Sequence, residues 1–393
     1  MNPNPILGVF YHWLGGFASG SFYVPYKAVK RWSWEVYWLL GGIFSWLIAP
    51  WVLGLILVPH LTQVLGQQPF GVLAWTFFWG MMWGFGGLTY GLTMRYLGMS
   101  LGTGIILGLT ALFGTYVPPI FDGTIGAKLH TIPGQVILIG SVFALLGIAI
   151  TAAAGLSKER EMDEEQKRKA IQEFNLRKGI LIAIFSGVMS SCFAFGLASS
   201  VPISATALHY GADPIWTGLP KIIVITAGGF VTNLLWCSYL LIKNRTFNEY
   251  FGHVEAAEDD TQLDVGGNAV AALDPPDSPV EDPPAKGGIN SRGTRVPLLS
   301  NYLLSALAGT TWYFQFFFYT MGETQMGKYR FSSWTLHMAS IIIFGSLWGI
   351  FLKEWKNTSA LSKFLLGVAL FTLVASTIIV GYGNLLGLQL GGH

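Results

Sequence analysis

Long stretches of apolar residues with very few charges dominate this chain. Residues 36 to 94, for example, contain no Asp, Glu, Lys or Arg. A surface helix of a soluble protein carries charged residues on its outer face, whereas an uncharged stretch of this length suits two crossings of a roughly 30 Å hydrocarbon layer. The pattern therefore predicts an integral membrane protein.

The apolar stretches divide into ten predicted membrane-spanning helices. Charged residues, prolines and glycine-rich turns mark their ends, and each stretch is near the roughly 20 residues that a helical crossing requires. Membrane β-barrels show shorter segments of about 10 residues with alternating polarity, so we predict an all-α fold. The predicted spans are residues 5 to 26, 36 to 58, 70 to 94, 98 to 121, 134 to 155, 179 to 200, 215 to 242, 298 to 321, 332 to 352 and 364 to 387.

Lys and Arg are concentrated in alternate loops, and this bias predicts the orientation in the membrane. The loops that follow odd-numbered spans hold 19 of the 23 Lys and Arg residues. Positively charged loops are retained on the cytoplasmic side. We therefore predict that both termini lie outside the cytoplasm and that the basic loops lie inside it.

Two of the predicted cytoplasmic segments differ from the rest in composition. Residues 156 to 178 mix both signs of charge with good helix formers, so we predict a linker helix between two halves, residues 1 to 155 and 179 to 393. Residues 252 to 295 carry nine acidic and three basic residues, proline-rich patches and few large apolar side chains. Because such a segment buries too little apolar surface to fold, we predict a disordered acidic loop.

A motif of the third span recurs in the eighth span, which suggests an internal repeat. With five spans in each half, the second copy would enter the membrane from the opposite face. We therefore predict two inverted five-helix repeats, an architecture of alternating-access transporters. The general abundance of glycine and aromatic residues is the alternative explanation. The motif G-x2-W-x6-Y-x7-G occurs at Gly80, Trp83, Tyr90 and Gly98 and again at Gly309, Trp312, Tyr319 and Gly327.

Composition and motifs argue against several other classes of protein. The chain is 52% hydrophobic and 11% charged with a net charge of +2, which gives no reason to expect nucleic acid as a partner. Cys192 and Cys237 both lie in apolar spans and predict neither a disulfide framework nor redox chemistry. The histidines lack metal-ligand spacing, and the stretch from Gly322 to Tyr329 resembles a phosphate-binding loop only in part. We predict no metal, no cofactor and no ATP-driven step.

Two histidines lie at the same predicted depth in the membrane. His12 is seven residues into span one and His337 is five residues into span nine, about 8 to 10 Å below the outer surface. Because histidine titrates near neutral pH, either ring could bind a proton outside and release it inside. A neutral histidine held for packing is the alternative. Aligning span one with span six on Gly8 and Gly179 places Ala183 opposite His12, so this histidine is an addition to the repeated scaffold.

An amide and several aromatic residues form a candidate sugar site. Gln315 lies inside span eight, one turn from Trp312 and from Tyr319. Neutral sugars are held by amides that bond their hydroxyls and by aromatic rings against their C–H faces. Trp83 and Tyr90 are the repeat-related residues of span three, so we predict that all five contact substrate. A place in the aromatic belt at the membrane surface is the alternative for each ring.

Charged residues at the ends of spans are weaker candidates for function. Glu35 borders span two, and we include it with the two histidines among the candidate proton-coupling residues. Glu323 borders span eight, and Lys221 near the start of span seven is a candidate cation of the bundle interior. Solvation at the membrane boundary is the alternative for these groups.

Six regions of the chain carry specific sequence motifs. They are FYHWLGG and YVPYKAVKRWSWE within residues 10 to 35, YGLTMRYLGMSLGTGI at 90 to 105, QEFNLRKG at 172 to 179, WYFQFFFY at 312 to 319, SSWTLHM at 332 to 338 and LKEW at 352 to 355. His12, Glu35, Arg95, Gln315 and His337 all fall within them. These stretches resemble the bacterial L-rhamnose/proton symporter family, a ten-helix branch of the drug/metabolite transporter superfamily.

This resemblance implies uptake of L-rhamnose together with protons across a bacterial inner membrane, by a fold of two inverted five-helix repeats. The acidic loop at 252 to 295 departs from the short connection that the family leads us to expect between spans seven and eight. A closely related sugar is an alternative substrate.

We expect a secondary active transporter, and two other classes stay open. One is an exporter of the drug/metabolite type or a sugar exchanger, and the other is a membrane-embedded enzyme or receptor. Convergence of His12, Gln315 and His337 on one central cavity favours a transporter. Scattered positions favour an enzyme or a receptor.

Overall fold

Helices account for all the regular structure in the computed structural model, which describes residues 3–161, 175–253 and 296–390. No β-strand occurs in these three ranges. The prediction of an all-α protein is confirmed. Ten long helices, labelled α1 to α10, are α1 Pro5–Ser21, α2 Trp34–Leu57, α3 Phe70–Leu97, α4 Met99–Phe121, α5 Ile132–Arg160, α6 Leu176–Ser199, α7 Leu219–Lys243, α8 Leu298–Thr324, α9 Ser333–Phe351 and α10 Ala360–Leu390.

Each of the ten predicted spans overlaps one of these helices. Seven of them are long and apolar enough to cross a membrane, namely α2, α4, α5, α6, α7, α9 and α10. The remaining three differ in length or composition: α1 has only 17 residues, and α3 and α8 are long but rich in Trp, Tyr, Gly and Thr. The described chain therefore has the helices of a multi-pass membrane protein.

Two spans are less regular than the sequence pattern predicts. Span one was expected to run unbroken from 5 to 26, but α1 ends at Ser21 and a separate short helix, Tyr23–Lys27, follows. Helix α2 contains a π-helical segment, Phe44–Ile48, just before Pro50. Proline has no N–H to bond the carbonyl four residues earlier. The Trp46 carbonyl instead accepts a hydrogen bond from the Thr226 hydroxyl of α7 at 3.1 Å.

The helices pack in a pattern that joins the two halves of the chain. Helix α1 packs on α8 and α9, while α6 packs on α3 and α4. Helix α2 contacts α7 and α8, and α7 contacts α3 as well. The most extensive contact between two helices is that of α5 with α10. Side chains from both halves therefore meet at the centre.

The outer surface of the bundle is apolar where it would face lipid. Helix α5 exposes Ile139, Val142 and Leu146, and α10 exposes Phe371 and Ile378. A soluble protein rarely exposes large apolar side chains in such continuous rows. This surface is suited to contact with the hydrocarbon layer.

The predicted linker and acidic loop fall largely outside the described residues. Residues 156 to 160 of the predicted linker continue α5, and α6 begins at Leu176. Residues 162 to 174 of that linker and 254 to 295 of the predicted loop are not described.

Candidate functional site

A cavity of about 100 Å³ lies at the centre of the bundle, lined by residues from both halves. Helices α1, α2, α3 and α4 contribute side chains from the first half, and α6, α7, α8 and α9 contribute side chains from the second. At the roughly 10 to 15 Å³ that one water occupies in such a cavity, the space is several water molecules in size. It is large enough for part or all of one small organic solute.

Aromatic rings form much of the cavity wall. Trp83 of α3 and Trp312 of α8 stack almost parallel, with ring centroids 5.8 Å apart and 13° between the planes. Trp46 of α2 meets the edge of Trp312 at 5.2 Å. Phe316 packs on Phe193 of α6 at 4.5 Å, also nearly parallel. Each ring is held by another ring, so the aromatic surface is fixed before any ligand binds.

Gln315 supplies a polar group to this aromatic wall. It lines the cavity and is only 4% exposed, yet its Nε2 has no hydrogen-bond partner among the described residues. A buried amide donor left without a partner costs about 1 to 3 kcal/mol. The arrangement therefore favours a ligand that can accept a hydrogen bond at this position.

His12, Tyr319 and His337 form a cluster beside the cavity. The ring of Tyr319 meets the edge of His12 at 5.3 Å and of His337 at 5.2 Å, and the two imidazole rings lie 6.4 Å apart. His12 is 0% exposed and His337 is 1% exposed. Both nitrogens of His12 and the Nδ1 of His337 lack a hydrogen-bond partner in the described ranges. His337 also lines the cavity, so the cluster adjoins the solute space directly.

The close approach of α8 to α1 explains how His12 fits into this cluster. Gly322 of α8 faces the imidazole, and a Cβ at this position would lie 2.8 Å from His12 Nε2. A larger residue at 322 would displace the ring. The absence of a side chain there lets the histidine lie flat against the helix, one turn from Tyr319.

The structure brings most of the sequence-predicted site residues together. Trp83, Tyr90, Trp312, Gln315 and His337 line the cavity itself. Tyr319 and His12 lie next to it, in contact with His337. His12, Gln315 and His337 therefore lie together, at the cavity or directly beside it.

Glu35 lies elsewhere, at the start of α2. Its Oε1 accepts hydrogen bonds from Asn244 Nδ2 at 2.9 Å and from Thr246 Oγ1 at 2.7 Å, and it does not line the cavity. The carboxylate therefore joins the beginning of α2 to the segment that follows α7. Lys221 and Glu323 form an ion pair of 2.8 Å between the start of α7 and the end of α8.

Several cavity residues were not predicted from the sequence to belong to the site. Trp38 and Trp46 of α2 and Trp334 of α9 line the cavity, and so do Asn233 of α7 and Ser190 of α6. Asn233 carried the clearest signal, since an amide in the middle of an apolar span is costly unless it is bonded or functional. The tryptophans carried no such signal, because rings at the membrane surface and rings in the core look alike in sequence.

A multi-pass helical bundle with a central cavity built from both halves is the architecture of a small-solute transporter. The comparisons with known proteins agree with this class. A family model described as "L-rhamnose-proton symport protein (RhaT)" matches residues 1–252 and 291–386. The chain belongs to this family.

Named relatives cover nearly the whole chain. The "L-rhamnose-proton symporter" of Salmonella gallinarum is 36% identical over 378 residues, which is 96% of this chain and 97% of the relative. Proteins of the same name from Salmonella paratyphi B and Salmonella newport match to the same extent. The family match is interrupted between residues 252 and 291, where the sequence analysis predicted the acidic insertion.

Proposed function

We propose that this protein imports L-rhamnose together with protons across a bacterial inner membrane by alternating access. The observation that carries the proposal is the buried Gln315 Nε2, which has no hydrogen-bond partner among the described residues and lies between aromatic rings beside a histidine pair. The names of the family and of its relatives supply the substrate and the coupling ion.

The cavity has the chemistry that a neutral sugar requires. Its rings can lie against the C–H faces of a sugar, and the Gln315 amide can bond a ring hydroxyl. In this proposal, the Trp83 and Trp312 stack forms one wall of the site. Tyr90 lines the same cavity, and Tyr319 lies beside it against His337. A neutral solute suits the wall because, among the residues that the structure describes, no Asp, Glu, Lys or Arg lines the cavity.

The histidine pair is the proposed proton carrier. A ring that binds a proton from the outer side becomes a donor at both nitrogens, which changes what it offers to Tyr319 and to the sugar cavity. His337 adjoins the cavity, and His12 is linked to it through Tyr319. Glu35 remains a secondary candidate. At the start of α2, its Oε1 accepts hydrogen bonds from Asn244 and Thr246, away from the cavity.

We further propose ten spans arranged as two inverted five-helix repeats, α1–α5 and α6–α10. The packing supports this arrangement because three contacts between the halves have a counterpart when the halves are exchanged. Helix α3 packs on α6 as α8 packs on α1, and α4 packs on α6 as α9 packs on α1. Helix α3 also packs on α7 as α8 packs on α2. A pseudo-twofold axis in the membrane plane would relate the members of each pair.

The repeated glycines occupy matching surroundings. A Cβ on Gly80 would lie 2.0 Å from a backbone oxygen of α7, and a Cβ on Gly309 would lie 2.0 Å from a backbone oxygen of α2. Gly98 and Gly327 both have positive φ, at 76° and 55°, in the turns that follow α3 and α8. Glycine adopts this conformation without the strain that a Cβ brings.

The aromatic members of the motif support the same relation. Trp83 and Trp312 stack on each other, as two residues close to a twofold axis would. Tyr319 contacts His12, while Tyr90 belongs to the same buried cluster as Ala183. The alignment of spans one and six pairs His12 with Ala183. The second repeat therefore has an alanine where the first repeat has the proposed proton carrier.

We also propose that both termini are periplasmic and that residues 252 to 295 are cytoplasmic. The support is the concentration of Lys and Arg in alternate loops. A reporter that is active only in the cytoplasm should be silent when fused after residue 393 and active when inserted in the 252 to 295 segment. The reverse pair of signals would overturn the orientation.

Uptake by whole cells tests the transport proposal. The chain is expressed in a bacterial strain that lacks its own L-rhamnose transport, and labelled L-rhamnose uptake is measured while external pH is recorded. We expect accumulation against a gradient, alkalinisation of the medium and loss of accumulation when a protonophore is added. If the inserted protein takes up no sugar of a panel that includes L-rhamnose, the proposal is wrong.

A further inference from the structure

We propose that Asn233 is a second sugar-binding amide and determines which hydroxyl pattern the site accepts, with Trp38 as its positioning residue. This inference rests on the proposed sugar transport and extends it to a residue on a different helix. Asn233 lies on α7, is 6% exposed and lines the same cavity as Gln315 of α8.

Two contacts fix the orientation of the Asn233 amide. Its Oδ1 accepts a hydrogen bond from the indole Nε1 of Trp38 at 3.2 Å, and its Nδ2 donates to the carbonyl of Gly229 at 2.9 Å. An indole N–H can only donate and a carbonyl can only accept. Rotating the amide by 180° would break both bonds, so the oxygen and the nitrogen cannot exchange places.

These contacts leave half of the amide's hydrogen-bonding capacity unused. An amide offers two N–H donors and two oxygen lone pairs. One donor is used by Gly229 and one lone pair by Trp38. The remaining donor and lone pair can bind one hydroxyl twice or two neighbouring hydroxyls once each. This is the pattern that a sugar presents.

Trp38 can hold Asn233 because Trp38 is itself held by other rings. It stacks on Trp34 with centroids 5.3 Å apart and an angle of 21°, and it meets Trp46 at 6.3 Å. Its ring also contacts Trp312 at 6.4 Å. The hydrogen bond therefore connects α2 of the first half with α7 of the second half, at the edge of the cavity.

Asn233 and Gln315 would have different tasks in this site. Gln315 has a buried Nε2 with no hydrogen-bond partner among the described residues, so no hydrogen bond from Nε2 fixes its amide. Asn233 cannot turn, and it accepts only hydroxyls placed to match its free donor and lone pair. A rigid amide discriminates between sugars more strongly than a mobile one, since a mismatched sugar leaves it unpaired.

Binding of sugar analogues to purified, full-length protein tests the proposal. Affinities for L-rhamnose and for its 2-, 3- and 4-deoxy analogues are compared between the parent protein, Asn233→Leu and Asn233→Ser. Serine can bond the carbonyl four residues earlier, as Ser141 does with Ile137, so this variant keeps the helix intact if the leucine variant does not fold. Trp38→Phe keeps an aromatic ring and removes the indole N–H.

A matched control is present in α10. Asn384 is also a buried asparagine whose Nδ2 donates to the carbonyl four residues earlier, Val380, at 2.8 Å, but it does not line the cavity. Asn384→Leu therefore removes a buried amide from a span without changing the proposed site. It measures what the loss of such a group does to folding and to binding in general.

We expect Asn233→Leu and Asn233→Ser to bind L-rhamnose about five- to 150-fold more weakly than the parent. For the deoxy analogue that lacks the hydroxyl bound by Asn233, parent and variant should bind alike. Trp38→Phe should lose part of the parent's preference for L-rhamnose over that deoxy analogue, because the Asn233 amide is then free to turn. Asn384→Leu should keep the full selectivity of the parent.

Three results would overturn the inference. The first is unchanged discrimination among the analogues in both Asn233 variants, and the second is unchanged discrimination in Trp38→Phe. The third is a loss of discrimination in Asn384→Leu as large as that in the Asn233 variants. Failure of the underlying transport proposal is recognised separately, because the parent protein would then bind none of these sugars.

Discussion

The distance between the two imidazole rings predicts how many protons the proposed histidine carrier can hold at once. His12 and His337 lie 6.4 Å apart, centroid to centroid. Two unit charges at this separation repel by about 2.6 kcal/mol at an effective dielectric constant of 20. This corresponds to roughly an 80-fold penalty against the doubly protonated pair. We therefore expect the pair to carry one proton in each transport cycle and not two.

Simultaneous measurement of proton and sugar uptake tests this expectation. The initial rate of alkalinisation in a weakly buffered cell suspension, divided by the initial rate of labelled L-rhamnose uptake, should be close to one. A ratio close to two would refute the reasoning from the distance between the rings, because both histidines would then be charged together or another group would carry a proton.

Single substitutions separate proton coupling from sugar binding. At least one of His12→Asn and His337→Asn should lose accumulation against a gradient while it keeps exchange of internal for external sugar. We expect the larger effect for His12, whose counterpart in the second repeat is Ala183. His130→Asn is the control, because that histidine is exposed and lies outside the cluster. If both variants accumulate sugar as well as the control does, the proton does not travel through this pair.

Three further predictions concern single contacts. Gln315→Leu should weaken L-rhamnose binding about five- to 150-fold without lowering the unfolding temperature in detergent, and unchanged affinity would remove Gln315 from the site. Lys221 is 4% exposed and forms a 2.8 Å ion pair with Glu323. Lys221→Met leaves the Glu323 carboxylate without this partner and should lower the free energy of unfolding by about 3 to 5 kcal/mol. Adding Glu323→Gln should largely restore the stability, and failure of this rescue would contradict the prediction. Burial raises the pKa of Glu249, although hydrogen bonds from Ser33 act in the opposite direction. The stability that Glu249 contributes is therefore greatest below the ordinary carboxyl pKa and is lost as pH rises through the raised pKa. Glu249→Gln should flatten that part of the stability profile, and an unchanged profile would assign the effect to another group.

The sequence predicts the helices well because the membrane imposes a length and an apolar character on each of them. All ten predicted spans overlap a helix of the described chain, and seven of these helices meet the length and hydropathy expected of a crossing. That the other three cross the membrane stays a prediction. The common level of His12 and His337 could also be predicted, since depth follows from the 1.5 Å rise per residue. Their rings do lie 6.4 Å apart.

The remaining features depend on how each helix is rotated, and the sequence carries little information about that. The polarity of helices α3, α5 and α9 differs little from one face to another, so no amphipathic stripe tells which face points inward. Trp38 and Asn233 are 195 positions apart in sequence, and only the packing of α2 on α7 brings them together. The hydrogen bonds that Glu35 accepts from Asn244 and Thr246 also join residues that are far apart in sequence, and only the packing of the helices brings them together.

Helix α8 joins the proposed sugar site to the proposed proton site. Gln315 and Tyr319 are four residues apart on this helix, which is about 6 Å along its axis. Sugar bound at Gln315 and a proton bound beside Tyr319 therefore act on the same helix. Coupling requires that both ligands favour the same conformation of the protein. Because α8 packs on α1 and α2 of the other half, any shift of α8 changes the contact between the halves, which is the movement that alternating access requires.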